Sequence, residues 1–570
     1  MLSCSLKRYS FLCLIASLQA CGGGSSNSNS NSTLGLAGTP SPPTDLSQAP
    51  FSNVTAQSNM RVTNGFSASS LGVIDETAFA NGVAAADYDN DGDIDLLISR
   101  GDLGPNLLYR NLGNMQFEDV AQSAGIAFTK SETENYRHGS PAFADLDGDN
   151  DLDILLTGLE SDPTLIFLNN GDGTFSDVTA GSGLDEMTAM FSHSPAFGDY
   201  DLDGDLDLVL AHWGTPLDTL PASGDTQHLW RNDSDSTQVK FTSVSVEAGI
   251  APSIHINADT LTTREGEDYT LTPSFVHLDA DRYPDLVFSA DFNYSQVYSN
   301  MGNGTFANIT DYSVIIDGNG MGATLGDYDN DGDQDWFVGS ILANDEALPT
   351  VSQIGNRLYR NNDGIFEDVT AVSGVADGGW AWGSYFADFN NDGNLDIYHT
   401  NGFPGFDQFG DFTTDQSRLF ISNGNGTFTD QAQLFGLNDQ EQGRGIVCAD
   451  FDNDGNIDIL QMTLNEDNAV SLYRNENGDV GHYIKINLRG EAPNTQAIGA
   501  RITVSTDGRD QYRDVMLGSN YLSHNPTEQM IGLNDSETIE LLTVDWPDGQ
   551  QSVLSNVGIN QSLEISHPDL

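Results

Sequence analysis

Residues 87–95 read Asp-Tyr-Asp-Asn-Asp-Gly-Asp-Ile-Asp, or DYDNDGDID. Carboxylates occupy the odd positions and a glycine stands sixth. In a loop of this pattern the side chains at positions 1, 3 and 5 turn inward. The sixth residue bends the chain through the left-handed region, which glycine enters without strain. Position 7 offers its backbone carbonyl, and position 9 closes the shell with a further carboxylate. An all-oxygen shell of this kind suits Ca2+, which takes about six to eight oxygen ligands.

The stretch recurs as DLDGDNDLD from Asp145, DYDLDGDLD from Asp199, HLDADRYPD from His277, DYDNDGDQD from Asp327, DFNNDGNLD from Asp388 and DFDNDGNID from Asp450. Successive copies start 50 to 78 residues apart, which marks one supersecondary unit per loop with insertions of varying length. Short apolar runs flank each loop, such as residues 82–86 before the first and Leu96-Leu97-Ile98 after it. Each loop therefore joins two strands. A third apolar stretch ends near Tyr-Arg-Asn, at Tyr109, Tyr359 and Tyr473. A fourth, alternating element starts at Phe117, Phe175, Phe241, Phe306, Phe366 and Phe428. Four strands per unit is the content of a propeller blade. The expected fold is all-β: a seven-bladed β-propeller over residues 51–480 with a small C-terminal β domain over residues 481–570.

The Phe elements say how the ring closes. Seven loops occur, but only six of these elements follow a loop. The loop at Asp450 has none, whereas Phe51-Ser52-Asn53-Val54-Thr55 precedes the first loop. Pairing residues 51–57 with the strand around Leu472 would complete the last blade and remove exposed sheet edges.

Calcium is the expected cofactor, at about six ions. The ligand sets are Asp87, Asp89, Asp91, Asp93 and Asp95 in the first loop, Asp145, Asp147, Asp149, Asp151 and Asp153 in the second, and Asp199, Asp201, Asp203, Asp205 and Asp207 in the third. Asp327, Asp329, Asp331, Asp333 and Asp335 form the fifth. The sixth is Asp388, Asn390, Asp392, Asn394 and Asp396, and the seventh Asp450, Asp452, Asp454, Asn456 and Asp458. The seventh residue of each loop acts through its carbonyl. Asn150 replaces glycine at the bend of the second loop, and Asn390 weakens the sixth. The fourth loop begins with His277 and carries Arg282 at its bend, so it is expected to keep the hairpin and lose the ion. An EF-hand is excluded, because position 12 is Ile98, Leu156, Leu210, Val338, His399 or Gln461 where a bidentate Glu is required.

A net charge of −63 repels nucleic acid and anionic lipid headgroups. The N-terminus adds an export signal. Lys7 and Arg8 precede a short apolar run from Phe11 to Leu18, and Leu18-Gln19-Ala20-Cys21 ends it. This segment resembles the signal of a bacterial lipoprotein, over residues 1–20, with Cys21 as the lipidated residue. Residues 21–50, rich in Gly, Ser, Asn, Thr and Pro, read as a flexible tether. The expected location is the outer membrane or cell surface of a Gram-negative bacterium, with membrane contact only through the lipid. Cys448 would then be the one free thiol of the mature chain.

The loops with their flanks resemble FG-GAP/VCBS repeats. The C-terminal stretch is similar to the ASPIC and UnbV domain, through His482-Tyr483-Ile484-Lys485, Ala497-Ile498-Gly499-Ala500-Arg501-Ile502, Gly518-Ser519-x-Tyr521-Leu522-Ser523, Gly532-Leu533 and Val544-Asp545-Trp546-Pro547-Asp548-Gly549. The combination resembles the cartilage acidic protein family, with Trp380-Ala381-Trp382-Gly383 and Gly320-Met321-Gly322 as further marks. The resemblance implies architecture; it implies no defined activity.

The chain has no Gly-x-Ser-x-Gly elbow, His-Glu-x-x-His motif or phosphate-binding glycine loop. His138 and His193 precede the second and third loops in similar contexts, and His212 and His399 follow the third and sixth. Together they would line one face of the central channel, where a site could form, but a buried or hydrogen-bonded structural role is the commoner one for such histidines. The long insertions are residues 213–228, 251–274, 341–356 and 402–416, the last carrying Phe403, Phe406, Phe409 and Phe412. Exposed aromatics there would suit a protein or glycan partner. Two readings stay open: a non-catalytic surface binding or adhesion protein, and a carbohydrate-active lyase or hydrolase on a propeller scaffold.

Overall fold

The computed structural model describes residues 49–66, 79, 81–217, 225–235, 237–261, 266–342, 354–403, 412–465, 467–477, 481–518 and 520–570. The export segment, Cys21, nearly all of the tether, Phe406 and Phe409 lie outside the described residues.

Among the described residues each Asp loop joins the first two strands of its own antiparallel sheet; six of these seven sheets have four strands, and the first gains a fifth, parallel strand described below. In the first, Val83–Ala86 runs into the loop and Asp95–Ile98 leaves it from position 9; Leu107–Asn111 and Phe117–Asp119 complete the sheet. Every residue of its first two strands is buried. Strands covered on both faces carry continuous small and apolar runs, not a strict alternation. The first strands adjoin one another around a common axis, from the first sheet through the fourth and from the fifth to the seventh, and the seventh meets the first. Val276, Leu278 and Val287 of the fourth sheet share a core with Ala323, Leu325 and Trp336 of the fifth. These sheets are thus the blades of a β-propeller.

The chain start closes it. Phe51–Asn53 pairs antiparallel with Val470–Asn475, with Phe51 opposite Asn475 and Asn53 opposite Tyr473. Phe51 is buried against Phe389 and Phe435, at ring distances of 6.1 and 6.4 Å. The orphan element ahead of the first loop is the outer strand of the seventh blade.

Residues 482–570 form two further sheets. One orders Gln529–Asn534, His482–Arg489 and Gln561–Ser566; the other orders Arg509–Asp514, Arg501–Thr506, Ile539–Asp545 and Gln551–Val557. Ile484, Ile486, Ile502, Val504, Leu542 and Val544 pack between them, in one buried cluster with Phe197, Leu208 and Trp230 of the third blade. Between the two sheets the chain dips into the propeller axis. Ser523–His524 adds a parallel strand to Val83–Ala86. Phe197 N donates to Leu517 O at 2.8 Å, Ser384 N to Asn520 Oδ1 at 2.8 Å, Ile446 N to Ser523 Oγ at 2.8 Å and Cys448 N to Asn525 Oδ1 at 2.8 Å. One segment therefore ties the first, third, sixth and seventh blades, and its Tyr521 and Leu522 are wholly buried. Among the described residues no helix is long and apolar enough to cross a membrane.

Candidate metal centres in the Asp loops

The first carboxylate of each acidic loop organises the turn. Asp87 Oδ1 accepts from Asp91 N at 3.0 Å and its Oδ2 from Gly92 N at 2.9 Å, while Asp91 Oδ1 accepts from Asp93 N at 3.0 Å. Asp199, Asp327, Asp388 and Asp450 repeat this wiring. Asn90 and Gly92 both take positive φ, 59° and 92°, so the turn needs two left-handed residues. The second loop exchanges them, with Gly148 at position 4 and Asn150 at position 6. Asn is among the residues that tolerate that region best. In the fourth loop neither Ala280 nor Arg282 takes positive φ, and His277 brings no carboxylate. The hairpin survives, with Val276 opposite Asp285, but the turn has another shape.

Position 9 carries a second duty that sequence reasoning missed. Asp95 Oδ2 accepts from Tyr88 N at 3.3 Å and its Oδ1 from Asn111 N at 2.7 Å. Asp153, Asp207, Asp285, Asp335, Asp396 and Asp458 bracket their blades in the same way. The partner Asn then reaches the neighbouring blade: Asn111 Nδ2 donates to Phe451 O, Asn169 Nδ2 to Tyr88 O and Asn475 Nδ2 to Phe389 O, at 2.9 to 3.0 Å. This Asn ends the Tyr-Arg-Asn motif, which is the signal that could have revealed it. In the sixth blade Ser422 stands in its place.

The residues present fit a cation. Asp89 Oδ1, Asp201 Oδ1, Asp329 Oδ1 and Asp452 Oδ1 are each sealed from solvent and meet no hydrogen-bond donor. All four occupy position 3. A buried carboxylate oxygen without a partner is costly unless a cation satisfies it. Ligand atoms of Asp87, Asp89 and Asp95, of Asp145, Asp147 and Asp153, and of Asp199, Asp201 and Asp203 lie within 4.8 Å of one another, so several acidic clusters can hold a metal ion. Burial pushes Asp95, Asp153 and Asp335 up to about 9, and Asp199 and Asp327 up to about 7, with neighbouring carboxylates adding to the rise. In the sixth loop the Asn390 amide donates to Asp392 Oδ2 at 3.1 Å, so its third position is already engaged. A bound divalent ion would supply positive charge at the centre of each acidic loop.

The loops also carry the C-terminal module. Thr495 Oγ1 donates to Asp145 Oδ2, and Arg282 Nη2 of the ligand-poor fourth loop donates to Pro547 O at 2.9 Å. Arg501 Nη1 reaches Gly332 O at 2.9 Å, and Arg509 Nη2 reaches Gly393 O and Asn394 Oδ1 at 2.7 Å each. Lys485 Nζ lies 3.4 Å from Asp450 Oδ2 and 2.5 Å from Asn453 Oδ1. Basic residues of an otherwise acidic chain are thus set against the acidic face.

The histidines singled out from the sequence have the buried, hydrogen-bonded setting of structural residues. All four are buried. His138 Nδ1 pairs with Asn106 at 3.1 Å, His193 Nε2 with Trp213 O at 2.9 Å, His212 Nδ1 with Phe191 O at 2.8 Å, and His399 with Asn356 and Asn401. Burial holds them at about 3 or 4, so they are neutral. Phe403 stacks on Trp380 at 4.2 Å and is buried, so it folds back onto the propeller. His228, His255 and Asp268, in or beside the insertions, form a cluster that sequence reasoning missed.

Repeated Asp loops between the strands of successive antiparallel sheets define an acidic-loop β-propeller, and the chain belongs to the FG-GAP-like repeat family, whose model matches residues 87–156, 156–210, 277–338, 342–399 and 410–461. Residues 490–570 match the ASPIC and UnbV domain. Cartilage acidic protein 1 of Mus musculus is 24% identical over 518 residues, covering 85% of this chain and 74% of that protein. The Homo sapiens protein of the same name is 24% identical over 528 residues, covering 85% and 72%. Among solved structures, an Agrocybe aegerita lectin that recognises non-reducing terminal N-acetylglucosamine aligns with a TM-score of 0.39 at 16% identity, covering 78% of this chain and 95% of that one. The exotype rhamnogalacturonan lyase YesX aligns with a TM-score of 0.37 at 13% identity, covering 70% and 72%.

Proposed function

We propose that the protein is an exported, surface-anchored β-propeller that binds Ca2+ in its acidic loops and acts by binding a protein or glycan rather than by catalysis. The observation that carries the calcium reading is the position-3 carboxylate oxygen left buried without a donor in four separate loops. Six loops hold the ligand sets given above, and the ions stiffen the face on which the C-terminal module rests. Partner binding falls to the other face. The four long insertions join strands at the blade ends opposite the Asp loops. Half-buried Trp213, Phe292 and Phe412 lie at those ends, and aromatic surfaces suit sugar rings and protein side chains alike. The four histidines considered for a channel enzyme are buried and each makes at least one structural hydrogen bond, which weakens the lyase or hydrolase reading. The anchor is Cys21, with residues 21–50 as spacer, in the outer membrane or cell surface of a Gram-negative bacterium.

Calorimetric melting with calcium and with chelator tests the first half: chelation should lower the melting temperature by more than about 10 °C. An unchanged melting temperature removes the calcium claim. A glycan and protein array, read alongside glycan-breakdown assays, tests the second: binding without turnover is expected, and turnover would replace the binding reading by the enzymatic one.

A further inference from the structure

A cluster of a different chemistry lies between the third and fourth blades, at the end opposite the acidic loops. His228 precedes the strand Leu229–Asn232, and Asp268 precedes Thr270–Val276. His255 lies in the long connection between them. One ring nitrogen of each histidine and one carboxylate oxygen of Asp268 all lie within 4.8 Å of one another. The side chains of His228 and Asp268 are 0% exposed, so water does not satisfy them.

The surrounding hydrogen bonds fix which atoms face inward. His228 Nδ1 lies 2.7 Å from Leu210 O. A carbonyl only accepts, so Nδ1 carries a proton. On a neutral ring Nε2 then presents a lone pair, whereas the Asp268 carboxylate, working against burial, raises the ring toward its protonated form. Asp268 Oδ1 is taken by Thr270 N and Thr270 Oγ1, both at 2.8 Å. Its Oδ2 is left facing His228 Nε2 at 2.9 Å, yet neither atom has a hydrogen-bond partner of acceptable direction. Two lone pairs held together in a dry interior require a positive charge between them. A proton would serve two donors; the third donor, from His255, makes a three-sided pocket that suits a metal ion. An imidazole and a carboxylate supported in this way, as His228 and Asp268 are, match the usual outer-shell arrangement around a bound metal. Both ring nitrogens of the neighbouring His212 face main-chain carbonyls, so it adds no ligand.

We propose that His228, His255 and Asp268 bind one transition-metal ion, of which Zn2+ is the first choice, and that this ion clamps the 251–269 connection to the third blade. The donor set separates this site from the acidic loops. Two imidazoles and one carboxylate suit zinc and its neighbours, whereas calcium takes oxygen alone.

The test uses the full mature chain, produced with added zinc and dialysed against metal-free buffer that still contains calcium. Elemental analysis should find about one transition-metal ion per chain. His255→Ala and Asp268→Asn should each weaken zinc binding by about 100-fold while calcium content and circular dichroism stay unchanged. Wild-type protein with under about a tenth of an equivalent, or variants that hold as much zinc as wild type, would overturn the proposal and leave a buried imidazolium–carboxylate pair. If either variant fails to fold, wild-type protein loaded with Co2+ decides. Intense visible bands of a low-coordinate, imidazole-ligated ion support the site; the weak bands of an all-oxygen octahedral ion reject it.

Discussion

At the scale of single residues, the Asp loop does two jobs that substitution can separate. Positions 1, 3 and 5 gather oxygens toward one point, while position 9 receives two main-chain N–H groups and holds the blade together. The fourth loop isolates the second job, because His277 removes the first ligand while Asp285 still accepts from Leu278 N at 3.1 Å and Asn300 N at 2.7 Å. Asp285→Asn would turn an amide NH2 toward one of those N–H groups. We expect a loss of about 2 kcal/mol in urea unfolding, with the calcium content unchanged. A drop in bound calcium would show that this loop also holds an ion. The buried histidines give a pH effect of definite sign. His399 is held at about 3 by burial, below the ordinary 6.5, with Nδ1 facing Asn401 Oδ1 and Nε2 facing the Asn356 amide. The unfolded chain therefore binds a proton that the folded chain refuses. This contribution is complete above about pH 6.5 and is lost as the pH falls toward 3, by about 1.4 kcal/mol per unit. In His399→Gln the acid-side slope should be shallower by that amount, measured as the difference between the two proteins at fixed calcium.

At the scale of elements, the seventh blade depends on a strand from the other end of the chain. Without Phe51–Asn53, the strand Val470–Asn475 would present a free edge, and the apolar site formed by Phe389 and Phe435 would open. Phe51→Ala should cost about 3 kcal/mol. Removing residues 49–57 should do more, producing concentration-dependent aggregation visible in light scattering; a truncated chain that stays monomeric and equally stable would show that closure contributes little. This strand was legible in the sequence because repetition made it conspicuous: six Phe elements followed loops and one preceded them. The loops were legible for the same reason. The Asn bracket was not, since Asn111 meets Phe451 O across 340 residues and a main-chain acceptor leaves no mark on composition. Nor was the His228–His255–Asp268 cluster, whose members sit in insertions that share no period with the repeats. Tyr521-Leu522-Ser523 stood out only as a family mark, because its partners are main-chain groups of distant blades.

At the scale of the whole molecule, the acidic face, the C-terminal module and the propeller axis form one mechanical unit. Lys485, Arg501 and Arg509 rest on the loops that gather carboxylates, and the segment between the module's sheets threads the axis and bonds to four blades. With calcium bound as proposed, the loops would hold the Gly332 and Gly393 carbonyls fixed for these arginines. Emptied loops hold unbalanced carboxylates whose repulsion favours opening the turn. Loss of calcium should therefore loosen the module as well as the blades. Cys448 reports this, because its N–H is bonded to Asn525 of the threading segment and its thiol is buried and pushed far up from its usual range. In a chain beginning at residue 22, which lacks the other three cysteines, a thiol reagent should label Cys448 slowly in calcium. Chelator should speed labelling by about 100-fold or more at a temperature below the melting transition, as expected when a local opening costs about 3 kcal/mol less. Lys485→Met should speed labelling in calcium too, by weakening the module's hold on the seventh loop. Equal rates with and without calcium would mean that the module and the axis are held by packing alone, and that the acidic loops stiffen only the turns in which they lie.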